Sequence, residues 1–134
     1  MPNAAPVVAV LDDEPEMRKA LRRLLAGRGF LVEEYQGGKE LLSALSTHPM
    51  DVLLLDLHMP GIDGFDVLEG IRSRQVKVRI IVITAHDEPG TEERVRALGA
   101  CAYFKKPVER EALFSAISPA VAADMKLPPC KPAI

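Results

Sequence analysis

Asp12, Asp13, Asp56, Thr84 and Lys106 are the side chains in this sequence that could act together on a phosphate. Three carboxylates suit a hard divalent cation such as Mg²⁺, which takes oxygen ligands and keeps several waters. A cation beside an aspartate partly neutralises it and lets an anionic phosphoryl donor approach. The carboxylate can then attack phosphorus and form an acyl phosphate. Lys106 could match the new charge, and Thr84 could donate a hydrogen bond to it. Asp56 is the candidate nucleophile. It ends the apolar run Val52 to Leu55 and is followed by His58, Met59, a Pro60–Gly61 turn and a second turn signal at Asp63–Gly64. Taken singly, each residue has a plainer reading. Asp12 and Asp13 could cap a helix, Asp56 could belong to the turn, Thr84 could be a strand-end hydroxyl and Lys106 a solvated lysine. The chemistry requires all five in one crevice.

Strand ends can deliver them there. Residues 6–11, PVVAVL, read as a short buried strand that runs into Asp12 and Asp13. Pro15 suits the first turn of a helix, and Met17, Ala20, Leu21, Leu24 and Leu25 recur at helical spacing until Gly27 and Gly29. Residues 30–35 form a second strand, placed at a sheet edge because it carries Glu33 and Glu34. Gly37–Gly38 opens a second helix with Leu41, Leu42 and Leu45 inward, ended by His48–Pro49. Residues 51–56 are apolar enough for a strand covered on both faces. Asp63 can cap a third helix through Phe65, Leu68 and Ile71, and residues 79–84 are a second two-sided strand ending in Thr84. Glu88–Pro89–Gly90 opens a fourth helix with only Val95 and Leu98 apolar, the thinnest stripe of the set. Residues 101–104 make a fifth strand, broken by Lys105–Lys106–Pro107. A last helix over 109–121 turns Leu113, Phe114, Ile117 and Val121 inward.

Strands alternating with helices predict an α/β fold: a doubly wound, five-stranded parallel sheet covered by five helices, flavodoxin-like. With the charged strand at an edge, the order is 2-1-3-4-5. Ligands in such sheets bind outside the carboxyl ends of the strands, at the switch point between the first and third. The polar residues lie at those ends.

A chain of 134 residues, 48% hydrophobic and 27% charged, suits one domain with a real core. We expect that domain over residues 1–122 and a loose tail over 123–134. No apolar run approaches the ~18 residues of a membrane span, and the N-terminus lacks the basic start of a signal peptide. Net charge of −2 gives no reason to expect direct nucleic-acid binding. Arg18, Lys19, Arg22, Arg23 and Arg28 read as a solvated helix face. Cys101 and Cys130 show no metal or disulfide spacing. Cys101 reads as a small core residue and Cys130 as an exposed tail thiol, in a reduced cytoplasm.

The acidic pair in VLDDEP, the stretch DVLLLDLHMPGIDGFDVL, VITAH around Thr84 and AYFKKPVE around Lys106 stand in order at strand ends. Together they resemble the receiver domain of two-component response regulators, over about residues 6–121. The resemblance implies that Asp56 is phosphorylated by a sensor histidine kinase or a histidine phosphotransfer protein. It implies Mg²⁺, or Mn²⁺ in its place, held directly by Asp13 and Asp56, through water by Asp12, and by the backbone carbonyl of His58. Thr84 and Lys106 would bind the phosphoryl group, and Lys106–Pro107 would be a cis bond. Tyr103 falls at the family's switching aromatic, and the fourth helix, fifth strand and fifth helix would form the surface a downstream partner reads. The chain would be a signalling phosphoacceptor, not a turnover enzyme beyond its own phosphorylation and dephosphorylation, and would carry no output domain. His58 and His86, each two residues past a site residue, could screen the phosphoryl group from water; an ordinary loop role is the preferred reading.

Two rival readings share these residues. A Mg²⁺-dependent phosphatase with an Asp nucleophile commonly has a second acid two residues on, where this chain has His58. A flavodoxin-like FMN module needs a Ser/Thr/Gly-rich loop after the first strand, where this chain has Asp12–Asp13–Glu14–Pro15.

Overall fold

Strands and helices alternate without exception: β1 (Val7–Leu11), α1 (Pro15–Ala26), β2 (Leu31–Tyr35), α2 (Gly38–Ala44), β3 (Val52–Leu55), α3 (Gly64–Ser73), β4 (Arg79–Thr84), α4 (Thr91–Ala97), β5 (Ala102–Lys105) and α5 (Arg110–Ala122). The computed structural model describes residues 6–59 and 61–122, with backbone only from 118 onward. Pro60, the side chain of Val121, Cys130 and the expected tail lie outside the described residues.

The five strands pair in the order β2-β1-β3-β4-β5, every pair parallel. The charged strand β2 is at an edge, as its two glutamates predict. Val8, Val10, Val52, Leu54, Ile81 and Ile83 face a layer with Leu21 and Leu25 of α1 and Leu113, Phe114 and Ile117 of α5. Their neighbours Ala9, Leu11, Leu53, Leu55, Ile80 and Val82 face the opposite layer, with Leu41 of α2, Val67, Leu68 and Ile71 of α3, and Val95 of α4. The two-sided apolar runs are thus spent on two cores. Each buried aliphatic side chain contributes roughly 1.5–3 kcal/mol, which makes the three central strands a rigid base for whatever their ends carry.

Local signals account for the helix starts. Pro15 opens α1 at a position where its missing N–H costs nothing, and no side chain caps that helix. Asp63 caps α3 more fully than expected. It accepts from the Asp66 N–H at 3.0 Å, while the Asp66 carboxylate takes the Asp63 N–H at 3.3 Å. In α4 only Val95 is buried, as the thin stripe predicts. Two contacts to α3 supplement it: the Arg94 guanidinium lies 3.8 Å from the Phe65 ring centroid, and Arg72 Nη1 donates to the Ala97 carbonyl at 3.3 Å.

Some expectations need correction. Ala20 is exposed, because the buried stripe of α1 narrows to Leu21 and Leu25. Leu42 and Leu98 are only half-buried at the rims of their helices. Strand β5 runs to Lys105, since its ladder with β4 pairs Lys105 with Thr84. Cys101 is half-buried and is not a free thiol, so it is no ordinary core cysteine. No helix among the described residues is long and apolar enough to cross a membrane.

Candidate functional site

The ladder between β1 and β3 pairs Leu11 with Leu55, so Asp12 and Asp56 leave the sheet side by side. Each is pinned by one more backbone bond: Asp56 N–H to the Leu11 carbonyl at 3.0 Å, and Asp12 N–H to the Tyr35 carbonyl at 3.3 Å. Both carboxylates are buried, Asp12 at 3% and Asp56 at 5% exposure, with Asp13 half-buried beside them. One oxygen from each of the three lies within 4.8 Å of the others, close enough to hold one metal ion. This donor set is all hard oxygen, which fits Mg²⁺ or Mn²⁺ rather than a thiolate- or imidazole-seeking metal.

Lys106 arrives from beyond β5. Its N–H donates to the Thr84 carbonyl at 2.7 Å, and the bond to Pro107 is cis. Its ammonium, 14% exposed, lies 3.0 Å from Asp12 Oδ2, 3.5 Å from Glu14 Oε1 and 3.7 Å from Asp56 Oδ2. Thr84 ends β4, the strand next to β3, and is fully buried. Its Oγ1 accepts the His86 N–H at 3.1 Å, which leaves the hydroxyl proton to donate. Tyr103 sits further out, with its phenol donating to Asp87 Oδ1 at 2.8 Å. His58 donates its N–H to Asp56 Oδ1 at 3.3 Å, while its exposed ring meets that of His86, centroids 4.2 Å apart.

Crowding shapes the titration. Burial, then the Asp12 charge, pushes Asp56 up to about 6, against the pull of Lys106 and the His58 N–H; Asp13 adds to the rise. Burial works against the Lys106 ammonium, but its hydrogen bond to Asp12 and the charges of Asp56, Asp12 and Glu14 outweigh it and raise its pKa. One ammonium among several carboxylates leaves an excess of negative charge that a divalent cation would relieve.

A model of the response regulator receiver domain matches residues 8–118. The chain belongs to that family. This receiver domain is 37% identical over 103 residues to the DNA-binding transcriptional regulator NtrC of Salmonella typhimurium, covering 77% of this chain and 22% of that one. It is 37% identical over 110 residues to the response regulator MprA of Mycolicibacterium vanbaalenii, covering 81% and 47%. The chain therefore spans about a fifth of the first relative and about half of the second. Among solved structures it resembles the chemotaxis protein CheY4 of Vibrio cholerae, with TM-score 0.80 and 25% identity over 87% of this chain and 99% of that one. It also resembles FixJ-N, with TM-score 0.81 and 28% identity over 90% and 96%. Receiver domains are the phosphoacceptor modules of two-component signalling, and the acidic pocket of this one suits that role.

Sequence reasoning passed over Gly64 and Asp87. Gly64, read only as a turn signal, begins α3 against the site. A Cβ there would stand 2.7 Å from Leu57 Cα and 2.9 Å from the Asp56 carbonyl oxygen. No local pattern reveals such an approach, because the neighbour is the strand end and not the helix. Gly64→Ala is expected to lower stability by about 1–3 kcal/mol, the cost of overpacking, in a urea titration. Helix propensity alone predicts a gain of roughly 1 kcal/mol, so a stabilised variant would refute the close approach. Asp87 matters to the receiver domain through Tyr103. Burial, then the hydrogen bond and charge of Asp87, with Glu92 and Glu88 behind it, pushes the phenol up to about 12. In Asp87→Asn the Tyr103 midpoint should fall toward 10 in a phenolate absorbance titration. Tyr35, raised to about 12 by burial and Glu33, should stay where it is.

Proposed function

We propose that Asp56 accepts a phosphoryl group from a phosphohistidine on a sensor histidine kinase or a histidine phosphotransfer protein. The observation that carries this reading is the cluster of Asp12, Asp13 and Asp56 within 4.8 Å, with Lys106 already beside two of them. Asp13 and Asp56 would hold Mg²⁺ directly, with Asp12 acting through water and the His58 carbonyl completing the protein's share. Mn²⁺ would serve in its place. The bound ion would supply charge neutralisation that lets the anionic donor approach.

An Asp56 carboxylate oxygen attacks phosphorus, the P–N bond to the donor imidazole breaks, and that nitrogen leaves with the bond's electron pair. Lys106 turns from Asp12 to the new phosphoryl oxygens, and the Thr84 hydroxyl donates to another. Movement of Thr84 leaves room for Tyr103 to abandon Asp87 and turn inward. The surface of α4, β5 and α5 then changes, and a partner protein reads it. A swing of that switch from 1:99 to 99:1 needs about 5.5 kcal/mol of differential stabilisation. New charge-assisted hydrogen bonds of ~1.5–3 kcal/mol each are of the right size. Water later hydrolyses the acyl phosphate. A cytoplasmic setting belongs to the same proposal.

Position 58 weighs against the phosphatase rival, since a histidine whose ring meets that of His86 at a tilt stands where the second acid would be. The turn after β1 weighs against a flavin, since Asp12 and Asp13 put negative charge where a phosphate would sit. The test is incubation with Mg²⁺ and acetyl phosphate, read by mass spectrometry. A gain of one phosphoryl group, mapped to Asp56, is expected; no gain, or a gain elsewhere, would sink the proposal.

A further inference from the structure

Arg18 is out of place for a solvated helix face. It is the fourth residue of α1, where a cation opposes the helix dipole at a cost of roughly 0.3–1 kcal/mol. Its side chain is only 13% exposed, although long cations normally keep their charge in water. Two contacts hold it there. Nη1 donates to the main-chain carbonyl of Asp12 at 2.6 Å, and Nε lies 3.6 Å from Glu34 Oε1. Glu34, half-buried on the edge strand β2, also takes Arg22 Nη1 at 2.8 Å.

The carbonyl that Arg18 grips lies in the turn from β1 to α1, a helix start with no side-chain cap. We infer that Arg18, oriented by Glu34, is a positioning residue for the cation site: it fixes the main chain that aims the Asp12 and Asp13 carboxylates. All three oxygens of Asp12 are then clamped. Arg18 holds its carbonyl, the Glu14 N–H holds Oδ1 at 2.9 Å, and Lys106 holds Oδ2 at 3.0 Å. In the proposed reaction Lys106 leaves for the phosphoryl group, and the Arg18 clamp keeps the acidic turn in place. Glu34 has a part as well: it neutralises a guanidinium that would otherwise repel the incoming cation.

The inference rests on the Mg²⁺ reading above and makes a prediction of opposite sign to simple electrostatics. Removing a cation near a dication site should tighten Mg²⁺ binding if charge alone matters. If Arg18 positions the ligands, Arg18→Met should weaken binding about tenfold or more, the usual loss when a group that orients a ligand is removed. Calorimetric titration of the metal-free protein with Mg²⁺ reads this directly. Phosphorylation by acetyl phosphate at saturating Mg²⁺ should return to within about twofold of wild type, so the defect lies in the metal constant. Arg22→Met, which strips an exposed guanidinium from Glu34 and spares Asp12, should leave the constant unchanged.

Equal or tighter binding by Arg18→Met overturns the inference. Should that variant fail to fold, Arg18→Gln, neutral but polar and too short to keep both contacts, decides in its place. Several-fold weaker binding supports the clamp, and a wild-type constant overturns it. A wild-type protein that binds no Mg²⁺ overturns the metal reading itself and this inference with it.

Discussion

Asp56→Asn should abolish phosphoryl gain from Mg²⁺ and acetyl phosphate and, in the same molecule, stabilise the metal-free fold. The first effect follows from removing the nucleophile. The second follows from the site's electrostatics. Asp56 titrates at about 6 in the folded protein, against an ordinary value near 4, because burial and the Asp12 charge disfavour its ionised form. The folded chain therefore holds that proton more tightly than the unfolded chain does. Stability falls as pH rises from about 4 to about 6 and stays at the lower level above that. An asparagine escapes the loss. In urea titrations with a chelator at pH 8, Asp56→Asn should be more stable by up to about 3 kcal/mol, and the gap should close by pH 4. Mg²⁺ should restore much of the difference, since a ligand bound only by the folded state adds RT ln(1 + [Mg²⁺]/Kd). A variant less stable than wild type at pH 8, or a gap that ignores pH, would show that Asp56 is not strained.

Lys106→Met should produce two effects of opposite sense. The ammonium lies within 3.7 Å of both Asp12 and Asp56, so it competes with any cation bound there. Its loss should tighten Mg²⁺ binding about tenfold or more, since unit charges ~4 Å apart near a protein surface interact by about 4 kcal/mol. Phosphorylation at saturating Mg²⁺ should nonetheless slow by about 10- to 100-fold, the worth of one charge-assisted bond to the phosphoryl group. The metal-free protein should also lose stability. Breaking a buried pair from one side costs ~3–5 kcal/mol, and here Asp56 can limit the loss by taking a proton. Calorimetry, a phosphorylation time course and a urea titration read the three effects. Weaker Mg²⁺ binding or an unchanged phosphorylation rate would place Lys106 outside the site.

These predictions depend on features of unequal visibility in the chain. The strands, their order and the acids at their tips are legible because each has a local cause. A two-sided apolar run means a covered strand, and a charged strand means an edge. A run that stops at an aspartate means an acid at a strand end. Asp12, Asp13 and Asp56 were found in that way, and the structure puts them together. The same reasoning erred where the cause was not local. The basic residues of α1 read as solvated because helical spacing cannot show that Arg18 folds back onto Asp12 and across to Glu34.

What the sequence determined by itself was the inventory: a parallel α/β sheet, its order, and the carboxylates, hydroxyl and ammonium at the carboxyl ends of its strands. Local periodicity and local apolar runs suffice for that. The tertiary structure alone decided which groups meet. Lys106 reaches Asp12 across 94 residues of chain. Gly64 makes room for the Asp56 backbone, and Asp87 holds Tyr103 outward. It also decided the charge state, since the pKa of Asp56 depends first on burial, which the packed sheet and its covering layers create together.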